Sequence, residues 1–95
     1  MRVVSNVTAA PHETGGLIDL LTRVAGATRQ EPGCVAYDLF EDVDDPTNFT
    51  MIAEFADRAA YEEHIGQPYM QDLLVELPSL TTGEIESRML KPIEE

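Results

Sequence analysis

The chain contains no tryptophan, one cysteine and few basic residues, with six Lys and Arg against 18 Asp and Glu. A single cysteine, Cys34, excludes a disulfide within the chain. The formal net charge of −12 disfavours binding to phosphate backbones and anionic lipids, so we expect no nucleic-acid or membrane partner. No segment approaches the roughly 20 apolar residues of a membrane span, and no targeting pattern opens the chain. These absences predict a cytoplasmic protein.

The length of the chain is that of one small domain, which we assign to residues 1–95. The hydrophobic fraction of 43% and the charged fraction of 25% are typical of a globular protein. A domain of this size buries about two thirds of the surface that its unfolded chain exposes, so its stability margin is small. Small domains of this kind often gain buried area by association.

The pattern of apolar residues predicts the order strand, helix, strand, strand, helix, strand. In the first strand, Val3, Ser5 and Val7 share one face. The predicted strands span 2–9, 34–42, 49–55 and 82–90, and the helical stripes span 17–28 and 59–77, with an interruption at 66–68 and a loose tail at 91–95. The two glycines at 15–16 are expected to delay the first helix, and Pro78 is expected to end the second.

This order of elements is that of the ferredoxin-like α+β fold, β-α-β-β-α-β, with a four-stranded antiparallel sheet and helices on one face. The uncovered face is expected to carry apolar groups of its own, among them members of the Met51/Phe55 and Val35/Tyr37 series. An exposed apolar sheet face of this size usually marks an interface. We therefore predict a homodimer in which two sheets pack face to face as a dimeric α+β barrel.

His64 is the side chain that points most directly to chemistry. Histidine titrates near neutral pH, which suits a general acid or base, and Tyr61 precedes it by one helical turn. The alternative for His64 is a helix-end histidine that bonds only backbone or solvent. Asn6, in the middle of the first strand, is a candidate cleft residue if it faces the helices, and otherwise faces the dimer interface or solvent.

The remaining charged residues give no metal signature. The two histidines are far apart, and the carboxylates lack metal-ligand spacing, so we expect no metal site. Glu54 could act as a buried base, but we favour its pairing with an arginine across the sheet, either Arg2 or Arg88.

A set of residues spread along the chain resembles one known family. The set comprises Glu31-Pro32-Gly33-Cys34, Tyr37, Asp45-Pro46, Phe49, Glu54-Phe55, Ala59, His64 and Pro68-Tyr69. In this respect the chain is similar to the antibiotic biosynthesis monooxygenase domain of the dimeric α+β barrel superfamily, from the first strand through the last.

The resemblance implies a cleft between the helices and the sheet of each protomer. Cofactor-independent members are thought to bind an electron-rich phenol or anthrone there. The substrate is deprotonated, its carbanion passes an electron to O2, and the resulting peroxide collapses to a quinone. On this basis we expect a small aromatic substrate and O2 as partners, with no flavin, metal or other cofactor.

The resemblance also implies where the site lies. At the positions of the Asn, Trp and Tyr that anthrone-oxidising members use, this chain has Met51, Phe55 and Tyr61. The candidate catalytic residues are His64, Tyr61 and Asn6, and the candidate substrate-binding residues are Phe55, Tyr37, Met51 and Tyr69.

Two other functions remain open at this point. The first is a non-oxidative isomerase or cyclase that uses the same histidine to move a proton and needs no oxygen. The second is a dimeric small-molecule-binding module without catalysis, which a cleft filled by side chains would favour.

Overall fold

The computed structural model describes residues 1–94 and confirms the predicted ferredoxin-like α+β arrangement. Its elements are β1 (Arg2–Ala9), α1 (Thr14–Thr28), β2 (Cys34–Glu41), β3 (Asn48–Phe55), α2 (Arg58–Ile65), α3 (Pro68–Leu80) and β4 (Thr81–Leu90). The four strands form one antiparallel sheet in the order β2-β3-β1-β4. The last residue of the predicted tail, Glu95, lies outside the described residues. Within residues 1–94, no helix has both the length and the apolar character that crossing a membrane requires.

The core forms between one face of the sheet and the three helices because apolar residues recur with the period of each element. Along β3 every second side chain is buried, and on α1 the buried side chains follow the helical stripe. The buried positions of these two elements are Phe49, Met51, Ala53 and Phe55 on β3 and Leu17, Leu20, Leu21, Val24, Ala25 and Thr28 on α1.

Three of the four apolar residues expected on the uncovered sheet face lie on the helix side instead, so that prediction was wrong for them, whereas Val35 is exposed. Met51, Phe55 and Tyr37 are all part of the core. Alternation in β3 places its large apolar residues on a single face, and burying that face against the helices removes the most apolar area from water. The uncovered face, here called the open face, carries Val4, Ile52 and Phe40 among polar side chains.

Two helix boundaries differ from the sequence prediction. Helix α1 begins at Thr14, before the two glycines, and Gly16 lies where a Cβ would be 3.3 Å from the side chain of Leu80. The N–H groups of a first helical turn, here including those of both glycines, have no intrahelical partner whichever residue is present. The missing Cβ of Gly16 leaves room for Leu80 at the end of α3. Pro78 lies inside α3, which continues to Leu80 rather than ending at the proline.

The ion pair predicted for Glu54 forms with Arg2, at 2.9 Å.

The turn before β2 lies directly against the start of α2. A Cβ on Gly33 would overlap the Cβ of Ala60 and lie 3.3 Å from its Cα, so only glycine fits this approach. The Ala56 N–H donates to the Gly33 carbonyl at 2.9 Å. The Asp57 carboxylate caps α2 by accepting from the Ala60 N–H at 2.8 Å. This contact fixes the position of α2 relative to the turn that contains Glu31.

Candidate active site

A cavity of about 220 Å³ lies between the sheet and helices α2 and α3. Residues from all four strands form its floor, and its wall is mostly apolar. The polar side chains that reach it are Ser5, Tyr37, Tyr61, His64 and Ser87. Because an apolar cavity of about 150 Å³ accepts benzene, this volume suits an aromatic molecule of one or two rings. A cleft filled by side chains, which would have favoured a binding module without catalysis, is not present here.

His64 lines this cavity and is held in place by a carboxylate. Its side chain is only 5% exposed, and its Nδ1 lies 2.9 Å from Oε2 of Glu31, whose side chain is 11% exposed. A carboxylate beside Nδ1 favours the tautomer with the proton on that nitrogen, which leaves Nε2 as a proton acceptor. The Glu31–His64 pair therefore has the arrangement of an oriented general base.

The second ring nitrogen of His64 is open to the cavity. Nε2 makes no hydrogen bond with protein, yet no fully buried side-chain nitrogen or oxygen among residues 1–94 lacks a partner. Nε2 therefore keeps some accessible surface, and because His64 lines the cavity we infer that this surface faces it. A ligand in the cavity can reach the atom that would accept its proton.

Two aromatic rings pack around the imidazole. The centroid of the Phe55 ring lies 4.9 Å from that of His64, and the Tyr61 ring meets Phe55 edge-on with centroids 5.7 Å apart. Both residues line the cavity, as do Tyr37 and Met51. The structure thus brings together five of the seven candidate site residues.

Tyr69, expected in the substrate-binding wall, does not line the cavity. Its hydroxyl donates to Oε2 of Glu31, the same oxygen that faces His64. Tyr69 therefore lies behind the Glu31–His64 pair and holds the carboxylate instead of contacting a ligand. Its placement in the wall is corrected for this reason.

Asn6, expected beside His64, is on the opposite face of the sheet. Its side-chain amide exchanges two hydrogen bonds of 2.9 Å with that of Asn48 and donates a third, of 3.0 Å, to the Thr50 hydroxyl. The alternation of β1 shows the cause, because Val7 on the next position faces the helices and is buried. The placement of Asn6 in the cleft is corrected, and its amide is fully engaged on the open face.

Burial keeps two further side chains near the site neutral. Burial raises the pKa of Tyr37 to about 12, so its hydroxyl remains a hydrogen-bond donor at any ordinary pH. Burial and the nearby Glu31 carboxylate raise the pKa of the Cys34 thiol. Cys34 is partly exposed and not buried as a structural cysteine would be. A protonated thiol is a weak nucleophile, so Cys34 has no evident role in catalysis.

Glu31 is the site residue that sequence reasoning missed. In the sequence it is one member of the motif at the Pro-Gly turn, and its partner is 33 positions away. The available signal was a carboxylate placed directly before a Pro-Gly turn. Residues 1–94 contain no group of three or more His, Cys, Asp or Glu side chains positioned to hold a metal ion.

Two curated proteins and a further solved structure are similar to this chain over nearly its whole length. The "Uncharacterized protein sll1783" of Synechocystis is 27% identical over 89 residues, which is 94% of this chain; the chain spans only 60% of that relative's length. The "Putative monooxygenase Rv0793" of Mycobacterium tuberculosis is 28% identical over 98% of this chain and 91% of its own length. Its solved structure has a TM-score of 0.93, covering 99% of this chain and 95% of that one. A solved antibiotic biosynthesis monooxygenase is 28% identical, with a TM-score of 0.90 and 97% of both chains covered.

A family model described as antibiotic biosynthesis monooxygenase matches residues 1–74. The matched part runs from β1 into α3 and includes both members of the Glu31–His64 pair as well as the Phe55 and Tyr61 rings beside them. The helix-covered sheet, the cavity beneath α2 and this match agree: the chain belongs to the antibiotic biosynthesis monooxygenase family.

Proposed function

We propose that this protein is a cofactor-independent monooxygenase that oxidises a quinol-like or polyketide-derived aromatic with O2 in the cytoplasm. The observation that carries the proposal is His64, whose Nε2 is open to an apolar cavity while Glu31 holds Nδ1. Membership of the family, together with the monooxygenase names of two relatives, supports oxygenation at the family level. The cavity volume supports an aromatic substrate of one or two rings.

In the proposed reaction His64 acts as the general base. Nε2 takes the proton of a phenolic hydroxyl, and the Glu31 carboxylate stabilises the imidazolium that forms. The electron-rich ring then passes an electron to O2, and a C–O bond forms at a ring carbon that carries hydrogen. Loss of water from this hydroperoxide breaks the O–O bond and leaves a quinone carbonyl. One oxygen atom of O2 enters the product, and the other leaves in water with the two hydrogen atoms of the substrate.

The rest of the cavity supports the anion that forms during this reaction. Tyr37 stays protonated because of its raised pKa, so its hydroxyl can donate to a phenolate oxygen without losing its own proton. The apolar wall limits water around the oxygen-reactive intermediate. Phe55 offers a flat apolar surface on which an aromatic ring can stack.

Oxygen uptake tests this function directly. The purified protein, without added cofactor, should consume O2 with a panel of hydroquinones, naphthalenediols and anthrones, and form one quinone for each O2. Catalase should return no oxygen, because the second oxygen atom leaves as water and not as peroxide. Conversion of a substrate in the absence of oxygen would instead favour the isomerase or cyclase, and no uptake on any member of the panel would contradict the proposal.

We also propose that two copies associate through the open face of the sheet. Phe40 and Leu90, on the two edge strands of this face, are 49% and 42% exposed, and large apolar side chains left this exposed mark a candidate interface. Sedimentation should give the mass of a dimer, and Phe40→Glu should shift it toward the monomer. Val75→Glu, on an 80% exposed position of α3, is the matched control and should leave the dimer intact. A monomeric wild-type protein would exclude this interface.

A further inference from the structure

Two serines interrupt the apolar rows that face the cavity from the sheet. Ser5 follows Val3 on β1, and Ser87 follows Ile85 on β4, and all four residues line the cavity. The two serines are direct partners across the antiparallel pair, and their hydroxyl oxygens are 2.9 Å apart. Ser5 is half-buried and Ser87 is exposed, so the hydroxyl pair is not sealed in the core and a ligand entering the cavity can reach it.

The hydroxyl pair has hydrogen-bonding capacity to spare. Each serine has one O–H to donate and two lone pairs to accept with, and the bond between them uses one O–H and one lone pair. Among residues 1–94 neither hydroxyl bonds any other protein group. One donor and several acceptor positions are therefore available to a ligand in the cavity.

The serines and His64 lie at opposite ends of the cavity floor. Ser5 is paired with Met51, whereas the ring on which His64 packs belongs to Phe55, four residues further along β3. Four residues of a strand span about 13 Å. The floor between the two ends is apolar and includes Ala53. A ligand that reaches both ends is elongated and carries a polar group at each end.

We infer that the Ser5–Ser87 pair binds the second oxygen of the substrate, and that the substrate is a two-ring aromatic with an oxygen at each end. One oxygen lies at Nε2 of His64, and the other accepts from or donates to the serine hydroxyls. The cavity volume of about 220 Å³ agrees with two rings better than with one. This inference rests on the proposed function for the role of the oxygen at His64, but the serine contact concerns binding and needs no turnover.

The test compares two ligands that differ by one hydroxyl. 2,6-Dihydroxynaphthalene has an oxygen at each end of its two rings, and 2-naphthol has only one. Their fluorescence can be followed without interference because the protein has no tryptophan. Under anaerobic conditions, the wild-type protein should bind the diol about fivefold or more tightly than 2-naphthol, the usual net gain from one hydrogen bond.

The variant Ser5→Ala/Ser87→Ala should remove this preference and keep the affinity for 2-naphthol unchanged. Ser79→Ala, whose hydroxyl bonds a backbone carbonyl within α3, is the matched control and should keep the preference. Equal binding of both ligands by the wild type, or a preference that survives in the double variant, would overturn the inference. Failure of both ligands to bind would also overturn the inference. In that case, oxygen uptake with single-ring hydroquinones would show that the proposed function holds although the inferred serine contact does not.

Discussion

Replacing His64 by Asn is expected to lower kcat for oxygen uptake by about a hundredfold or more, the contribution of a positioned general base. The amide of Asn can still donate a hydrogen bond toward Glu31, but it cannot accept a proton from the substrate. The KM should change little because the apolar wall of the cavity remains. Initial rates measured with an oxygen electrode on the best substrate of the panel test this expectation.

The matched control is His12→Asn, which makes the same substitution at the other histidine. His12 is exposed in the turn before α1 and has φ of 67°, a left-handed conformation that Asn tolerates well. Its kcat should equal that of the wild type. Glu31→Gln should lie between the two, with a fall of at least about tenfold, because an orienting carboxylate is lost while the base remains. A His64→Asn protein with wild-type kcat would remove His64 from the mechanism.

Replacing Gly33 by Ala is expected to lower the free energy of unfolding by about 2–3 kcal/mol, in the range found for overpacked contacts. The added methyl group overlaps the Cβ of Ala60 and cannot be relieved by rotating a flexible side chain, since its neighbours are a Cβ and a backbone Cα. Either the turn or α2 must move. Denaturant unfolding of the wild type and the variant measures the difference.

Two further variants make this result specific. Gly33→Ala/Ala60→Gly removes the opposing methyl group and should be more stable than Gly33→Ala alone. The gain must exceed the cost of about 1 kcal/mol that Gly adds in a helix. Gly26→Ala, in α1 with nothing within 4 Å of the added Cβ, should be neutral or stabilising. A Gly33→Ala protein as stable as the Gly26→Ala control would contradict the tight approach. Displacement of α2 should also separate His64 from Glu31 and lower oxygen uptake.

The fold was predictable because each element has its own apolar period. The alternation through β3 and the stripe on α1 were visible in the sequence, and both appear in the structure. The sequence did not show which face of the sheet the helices cover, because alternation separates the residues of the two faces but does not indicate which face is covered. The expectations that Met51 lies on the uncovered face and that Asn6 lies in the cleft failed for this same reason. Pairing Asn6 with Thr50 and Ser5 with Met51 required the register of the strands.

The site was predictable only as far as local spacing reaches. Tyr61 and His64 lie one turn apart on α2, so their shared surface could be read from the sequence. Glu31 and Tyr69 meet at one oxygen atom although 38 positions separate them. That meeting depends on how closely Gly33 approaches α2, and local patterns carry no information on the packing of distant elements.

The cavity floor and the Glu31–His64 pair come from different parts of the chain, and this separation has a consequence for how the site can change. The floor consists of side chains at alternate positions of the four strands, whereas Glu31 lies in a turn and His64 on a helix. A substitution such as Ser5→Val or Met51→Phe reshapes the floor without touching the pair. The shape of the cavity can therefore change through strand residues while the Glu31–His64 pair stays in place, which is one physical route by which a single small scaffold takes different ligands.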